Sequence, residues 1–67
     1  MNTPHIHIGE LIHQKLKEEK LSVAWLADKI NIDSSNLRKI LKKNSINTDL
    51  LCRISKALNY SFFRYYE

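Results

Sequence analysis

A short capping pattern recurs along the chain and divides it into helices. In each copy an apolar residue is followed by Ser, Asp or Asn, and a second apolar residue lies five positions after the first. The polar side chain can accept a hydrogen bond from the first helical turn, while the two apolar residues form a hydrophobic staple. The copies begin at Leu21, Ile32, Ile46 and Tyr60. They predict four helix starts, so the chain has room only for short helices.

A further helix precedes them. Ile8, Leu11, Ile12 and Leu16 recur at helical spacing and form one apolar stripe. The composition agrees, because one glycine and one proline favour helix and give few hairpin signals. The predicted helices cover residues 7–20, 22–30, 34–43, 47–58 and 62–66. The sequence therefore predicts an all-α fold, a compact bundle of about five short helices.

The length of 67 residues permits a single domain, with a core expected over 8–66 and residues 1–6 expected to fray. Cys52 is the single cysteine, which excludes an internal disulfide and a multi-thiolate zinc site. No apolar run approaches the roughly 20 residues of a membrane span, and the first residues lack a signal-peptide pattern. We expect a cytoplasmic protein without membrane association.

The connection between the second and third helices is very short. Asn31, Ile32 and Asp33 lie between them, so the two helices are expected to cross at a steep angle. Asn31 lies where the second helix must end in a left-handed conformation, which asparagine tolerates best after glycine. Two helices joined in this way form a helix-turn-helix.

The third helix carries the whole net charge of the chain. Arg38, Lys39, Lys42 and Lys43 supply four cations, and the other seven cations are balanced by the seven acids. With Leu37, Ile40 and Leu41 on the buried side, the polar and basic residues share the outer side. Such a helix suits the DNA major groove, because short polar side chains can contact bases and cations attract phosphates. A solvated surface helix is the alternative explanation of the charge.

The runs SVAWLADKINIDSSNLRKILKK and TDLLCRISKALNYSFF together resemble the phage-repressor and Cro-like (Xre) helix-turn-helix family, over about residues 8–65. The resemblance implies a lambda-repressor-like fold. It also implies base-reading positions at Ser34, Ser35 and Lys39, and phosphate or flanking contacts from Asn36, Arg38, Lys42 and Lys43. The sequence departs from the family pattern in three places. Val23 replaces a phosphate-binding glutamine, Asn31 replaces the turn glycine, and Lys43 with Asn44 replaces Asn-Gly.

These features predict a transcriptional regulator, a repressor, that binds double-stranded DNA with the third helix in the major groove. One small module reads few base pairs, so a palindromic operator and a homodimer are expected. The alternative is a protein-interaction or antitoxin-type module with the same fold. RNA and anionic lipid are disfavoured, because no aromatic residue lies among the cations and the apolar side of the helix is used by the core.

Other residues have competing explanations. Trp25 either packs against a neighbouring helix or, with Phe63 and Tyr66, forms an interface with a partner. In the aromatic tail, Tyr60, Phe62 and Tyr65 are expected to turn inward, and Cys52 is expected to be a half-buried apolar filler. His5, His7 and His13 lack the spacing and partners of a metal site. No residue pattern predicts catalysis, a cofactor or a small-molecule substrate, so the chain is not expected to be an enzyme.

Overall fold

A computed structural model describes residues 7–43 and 46–66. The expected fraying of residues 1–6 and the Asn44 part of the loop departure lie outside these ranges. Four α-helices and one 3₁₀ helix follow one another along the chain: α1 (Ile8–Glu18), α2 (Val23–Lys29), α3 (Ser34–Leu41), α4 (Thr48–Leu58) and the 3₁₀ helix (Phe62–Tyr66). Within the described ranges there is no strand. The all-α fold class is thus confirmed, although the last helix is of the tighter 3₁₀ type and the other helices are shorter than predicted.

Three of the four predicted caps are present. The side chain of Ser22 accepts the Trp25 N–H at 3.0 Å, Asp33 accepts two N–H groups of α3, and Asn47 accepts the Leu50 N–H at 2.8 Å. Among the described residues no backbone N–H bonds to the Ser61 hydroxyl. Instead, the Phe62 N–H donates to Ser55 Oγ of α4 at 3.3 Å. The 3₁₀ helix is therefore tied to α4 where a local cap was predicted.

The ends of α1, α2 and α4 share a left-handed residue that is not glycine. The φ angles of Lys20, Asn31 and Asn59 are 59°, 59° and 51°. After each, the next N–H donates back to a carbonyl of the last turn, as the Ile32 N–H does to the Ala27 oxygen at 3.0 Å. This is the Schellman arrangement, which satisfies otherwise unpaired carbonyl groups. The left-handed conformation predicted for Asn31 is confirmed, whereas that of Lys20 was not predicted.

The core lies between the helices and holds their predicted apolar faces. α3 packs against both α1 and α2, while α4 packs against α2 and the 3₁₀ helix. Leu11 and Ile40, which the helical spacing predicted to face inward, are only half-buried, as are Val23 and Leu50 at the edge of the core. The fully or almost fully buried apolar residues are Ile8, Ile12, Leu16, Leu26, Ala27, Ile30, Leu37, Leu41, Leu51, Ile54, Leu58 and Phe62.

The aromatic tail covers one end of this core. Phe62 is fully buried, and the Tyr60 ring meets it edge-on with 5.0 Å between ring centroids. Tyr60 and Tyr65 are half-buried, because their hydroxyl groups bond to each other at 2.6 Å near the surface. Lys15 of α1 and Arg64 both place their charged groups over the Tyr60 ring, at 4.4 and 4.8 Å from its centroid. The tail thus joins the 3₁₀ helix to α1.

No helix in the described ranges is long and apolar enough to cross a membrane.

Candidate nucleic-acid interface

The start of α3 is fixed by Asp33. One oxygen of its carboxylate, Oδ2, accepts the backbone N–H of Ser35 at 3.0 Å and that of Asn36 at 3.3 Å. The Asp33 carbonyl accepts the Leu37 N–H at 2.9 Å, which begins the regular helix. These bonds leave the short side chains of Ser35 and Asn36 exposed, while Ser34 is half-buried. Of the two serines implied as base-reading residues, Ser34 is therefore the less accessible.

The rest of the outer side of α3 is basic. Arg38 and Lys39 lie in its last turn, Lys42 is the residue that ends it, and Lys43 follows. All four side chains are exposed, and none forms an ion pair with an acid in the described parts of the chain. Since exposed cations keep their full charge and mobility, this surface offers unneutralised positive charge to an anionic partner.

The buried side of α3 holds this surface in place. Leu37 and Leu41 are buried, as the helical spacing predicted, whereas Ile40 is only half-buried. α1 and α2 cover two flanks of α3, so its orientation is set by packing on both sides. The seven predicted site residues therefore lie on α3 and the two residues that follow it. No second element contributes to that set.

Asp33 determines the electrostatics of the N-terminal end of α3. The positive end of a helix dipole attracts anions such as phosphate. The Asp33 carboxylate accepts the Ser35 and Asn36 N–H groups and brings a negative charge to that end. This charge opposes the attraction of an anion to the helix end. The main positive charge of this surface is therefore that of the four cations that follow.

The three residues considered as a partner interface have different surroundings. Trp25 is half-buried against the core, and Lys29 Nζ lies 5.6 Å from the centroid of its ring system, so packing accounts for it. Phe63 is half-buried against the core. The side chain of Tyr66 lies outside the described part of the structure. Val23 is half-buried and packs with the core, so this position offers no polar atom for a phosphate.

The structure assigns packing or capping roles to His7 and Cys52. His7 Nδ1 accepts the Glu10 N–H at 3.2 Å and caps α1, a role that the sequence reading missed. His13 is exposed, and His5 lies outside the described residues. Within 7–43 and 46–66 no three His, Cys, Asp or Glu residues are grouped as metal ligands would be. Cys52 is half-buried, as expected of an apolar filler.

A second basic region was not predicted. Lys29 of α2 and Arg53 and Lys56 of α4 line an open groove together with apolar residues of both helices. Each cation looks like an ordinary surface residue within its own helix. The groove exists because α2 packs on α4, and helical spacing within one helix carries no signal of that contact.

Comparisons with known proteins find no matching family model, no similar curated protein and no similar solved structure. The resemblance to the Xre helix-turn-helix family therefore remains a prediction from the residues.

Proposed function

We propose that this chain is a sequence-specific double-stranded DNA-binding module, in which α3 enters the major groove of an operator and represses transcription by occupying it. The observation that carries the proposal is the outer side of α3. Short polar groups at its start are followed by four exposed cations without an ion-pair partner in the described ranges. Short polar groups can form hydrogen bonds with base edges, and cations can pair with phosphates.

The turn before α3 supports the same function. The Schellman bonds around Asn31 end α2 abruptly, and Asp33 starts α3 only four residues after Lys29. These bonds fix the orientation of α3 relative to α2, and α1 and α2 pack against the buried side of α3. A helix held in this way can enter a groove about 12 Å wide without rearrangement of the domain.

Within this proposal Ser35 and Lys39 contact bases, and Lys42 and Lys43 contact phosphates. Ser34 is half-buried, which leaves less of its side chain available than that of Ser35. Asn36 and Arg38 lie on the two flanks and contact phosphates or flanking bases. Three phosphate contacts, from Arg38, Lys42 and Lys43, would give a salt slope of about −2.7, so affinity would fall roughly fortyfold between 50 and 200 mM salt.

A single domain of this size reads only a few base pairs, so we propose that two copies bind a palindromic site. Their α3 helices would enter successive major grooves about 34 Å apart. If two copies bind together, binding should depend steeply on protein concentration, and the DNA motif should have two-fold symmetry.

The deciding experiment is selection of bound duplexes from a random DNA library at near-physiological salt. Enrichment of a short symmetric motif is expected, and placing that motif across a promoter should lower transcription in a purified system. If no motif is enriched and binding disappears with rising salt at the same rate for every sequence, the protein is not a sequence-specific regulator. That result would leave the protein-interaction or antitoxin-type module as the better explanation.

A further inference from the structure

An open groove of about 470 Å³ lies between the end of α2 and the exposed side of α4. Its lining is largely apolar at the floor and basic at the rim. Ile30, which is buried, and Ala57, which is half-buried, provide the floor. Lys29, Arg53 and Lys56 provide the rim, with Asn31 at one end. No residue of α3 lines the groove.

The three rim cations are available to a ligand. Lys56 is exposed and has no ion-pair partner among the described residues. Arg53 Nε lies 3.7 Å from Asp49 Oδ2, but both side chains are more than half exposed, at 56% and 84%. Such a pair contributes little, so a better-placed carboxylate can replace Asp49 at small cost. Lys29 lies over the Trp25 ring, which orients it without neutralising it.

A second depression of about 370 Å³ adjoins the first, because Lys56 lines both. Cys52 and Phe63 line it on the other side of Lys56, together with polar atoms of Ser55 and Asn59. The exposed side of α4 thus offers two shallow places for apolar side chains with a cation between them. A partner contact at Phe63 is one of the two alternatives that the sequence left open.

We propose that this surface, formed by the two adjoining depressions, binds an acidic amphipathic segment of a partner protein. Carboxylates of the segment pair with Lys29, Arg53 and Lys56. One apolar side chain covers Ile30 and Ala57, and a second lies against Phe63.

The combination of a basic rim and an apolar floor fits a peptide better than a nucleic acid. A DNA backbone would satisfy the cations but has no apolar side chain for the floor, which would stay in contact with water. An acidic segment with interspersed leucines satisfies both parts. No residue of α3 lines the groove, so we expect the partner and DNA to bind independently. A repressor or adaptor could use such a contact to recruit or sense another protein.

The probe is a fluorescein-labelled peptide of about ten residues in which two leucines are surrounded by glutamates, titrated with the full chain at near-physiological salt. We expect Lys56→Glu to weaken binding about tenfold. Position 56 lies between the two depressions, and a glutamate there would repel the glutamates of the peptide that Lys56 attracts. Lys17→Glu is the matched control, since it makes the same change of net charge on the exposed side of α1. It should weaken binding about twofold or less.

A second peptide, with both leucines replaced by serine, tests the apolar floor and should bind about tenfold more weakly. Circular dichroism of both variants checks that they fold. Equal losses for Lys56→Glu and Lys17→Glu would reduce the effect to net charge and overturn the proposal. So would equal binding of the two peptides, or displacement of the peptide by the selected DNA duplex, which would assign the groove to the DNA-binding surface.

Discussion

Gly9 of α1 lies directly against the carbonyl group of Leu41 at the end of α3. A Cβ atom added to Gly9 would be 1.7 Å from the Leu41 oxygen and 2.6 Å from its carbonyl carbon. Both neighbours are backbone atoms, so neither can turn away as a side chain would. The close approach of α1 to the last turn of α3 depends on the absence of a side chain at this position.

Gly9→Ala is expected to destabilise the fold by about 1–3 kcal/mol, because the methyl group must push α1 and α3 apart. In an unconstrained helix the same change would stabilise by about 0.4–1 kcal/mol, so the sign is diagnostic. Urea unfolding followed by circular dichroism measures it, with Gln14→Ala on the exposed side of α1 as control. A gain of stability would show that the two backbones are not in contact.

Lys20→Gly should have the opposite effect. Lys20 holds a left-handed conformation with φ 59°, which costs a residue with a Cβ about 1–2 kcal/mol. Glycine removes this cost but gains freedom in the unfolded chain, so a net stabilisation of about 0.5 kcal/mol is expected. Asn31→Gly, at the same φ, should gain less because asparagine tolerates this conformation better. Equal midpoints for Lys20→Gly and the parent protein would contradict the prediction.

Asp33→Asn separates capping from charge. Asparagine caps helices about as well as aspartate, so the free energy of unfolding should change by less than about 1 kcal/mol. Affinity for the selected DNA should rise about threefold, because a negative charge beside the phosphates is removed. Fluorescence anisotropy of a labelled duplex measures this, and Asp33→Ala shows the loss of the cap itself. A fall in affinity with Asn would indicate that the carboxylate accepts a hydrogen bond from a base.

The two sides of the proposed recognition surface should respond differently to alanine. Lys39→Ala and Ser35→Ala are expected to alter the selected base motif, since these side chains are assigned to base edges. Lys42→Ala should weaken binding to all sequences alike and reduce the magnitude of the salt slope by about one. Repeating the library selection and a salt titration for each variant tests this. A change of motif in Lys42→Ala would mean that α3 faces DNA differently.

The hydroxyl pair of Tyr60 and Tyr65 predicts alkaline sensitivity. The hydrogen bond that the Tyr65 hydroxyl donates to the Tyr60 oxygen, followed by burial, raises the pKa of Tyr65 above its ordinary value of 10.0. The folded state therefore favours the protonated phenol, and this contribution to stability is present below pH 10 and is lost as pH rises through the raised pKa. Tyr65→Phe should flatten the fall of stability above pH 10. Ultraviolet absorbance of tyrosinate and urea midpoints across this range measure it.

Much of the local structure was predictable because it depends on neighbouring residues. The caps at Ser22, Asp33 and Asn47 and the left-handed Asn31 follow from side chains whose preferences hold within one turn. The same reasoning failed at Lys20, because lysine has no preference for the left-handed region. It also failed at Ser61, where the 3₁₀ helix is held by Ser55 of another helix.

Features formed between helices could not be predicted from periodicity. The outer side of α3 was predicted because its residues lie on one helix and the two positions that follow it, and the burial of Leu37 and Leu41 agrees with that prediction. The approach of Gly9 to Leu41 depends on how α1 crosses α3. The groove at Lys29 and Lys56 depends in the same way on how α2 meets α4.

The burial of Phe62 also bears on how the chain folds during synthesis. Phe62 is fully shielded from solvent in the core, and the 3₁₀ helix that carries it is synthesised after α1 to α4. Until it emerges from the ribosome, its place in the core stays open to water. Nascent chains therefore expose an apolar opening for the interval between the emergence of α4 and that of the 3₁₀ helix. A chaperone that recognises short apolar surfaces would have its best opportunity to bind during that interval.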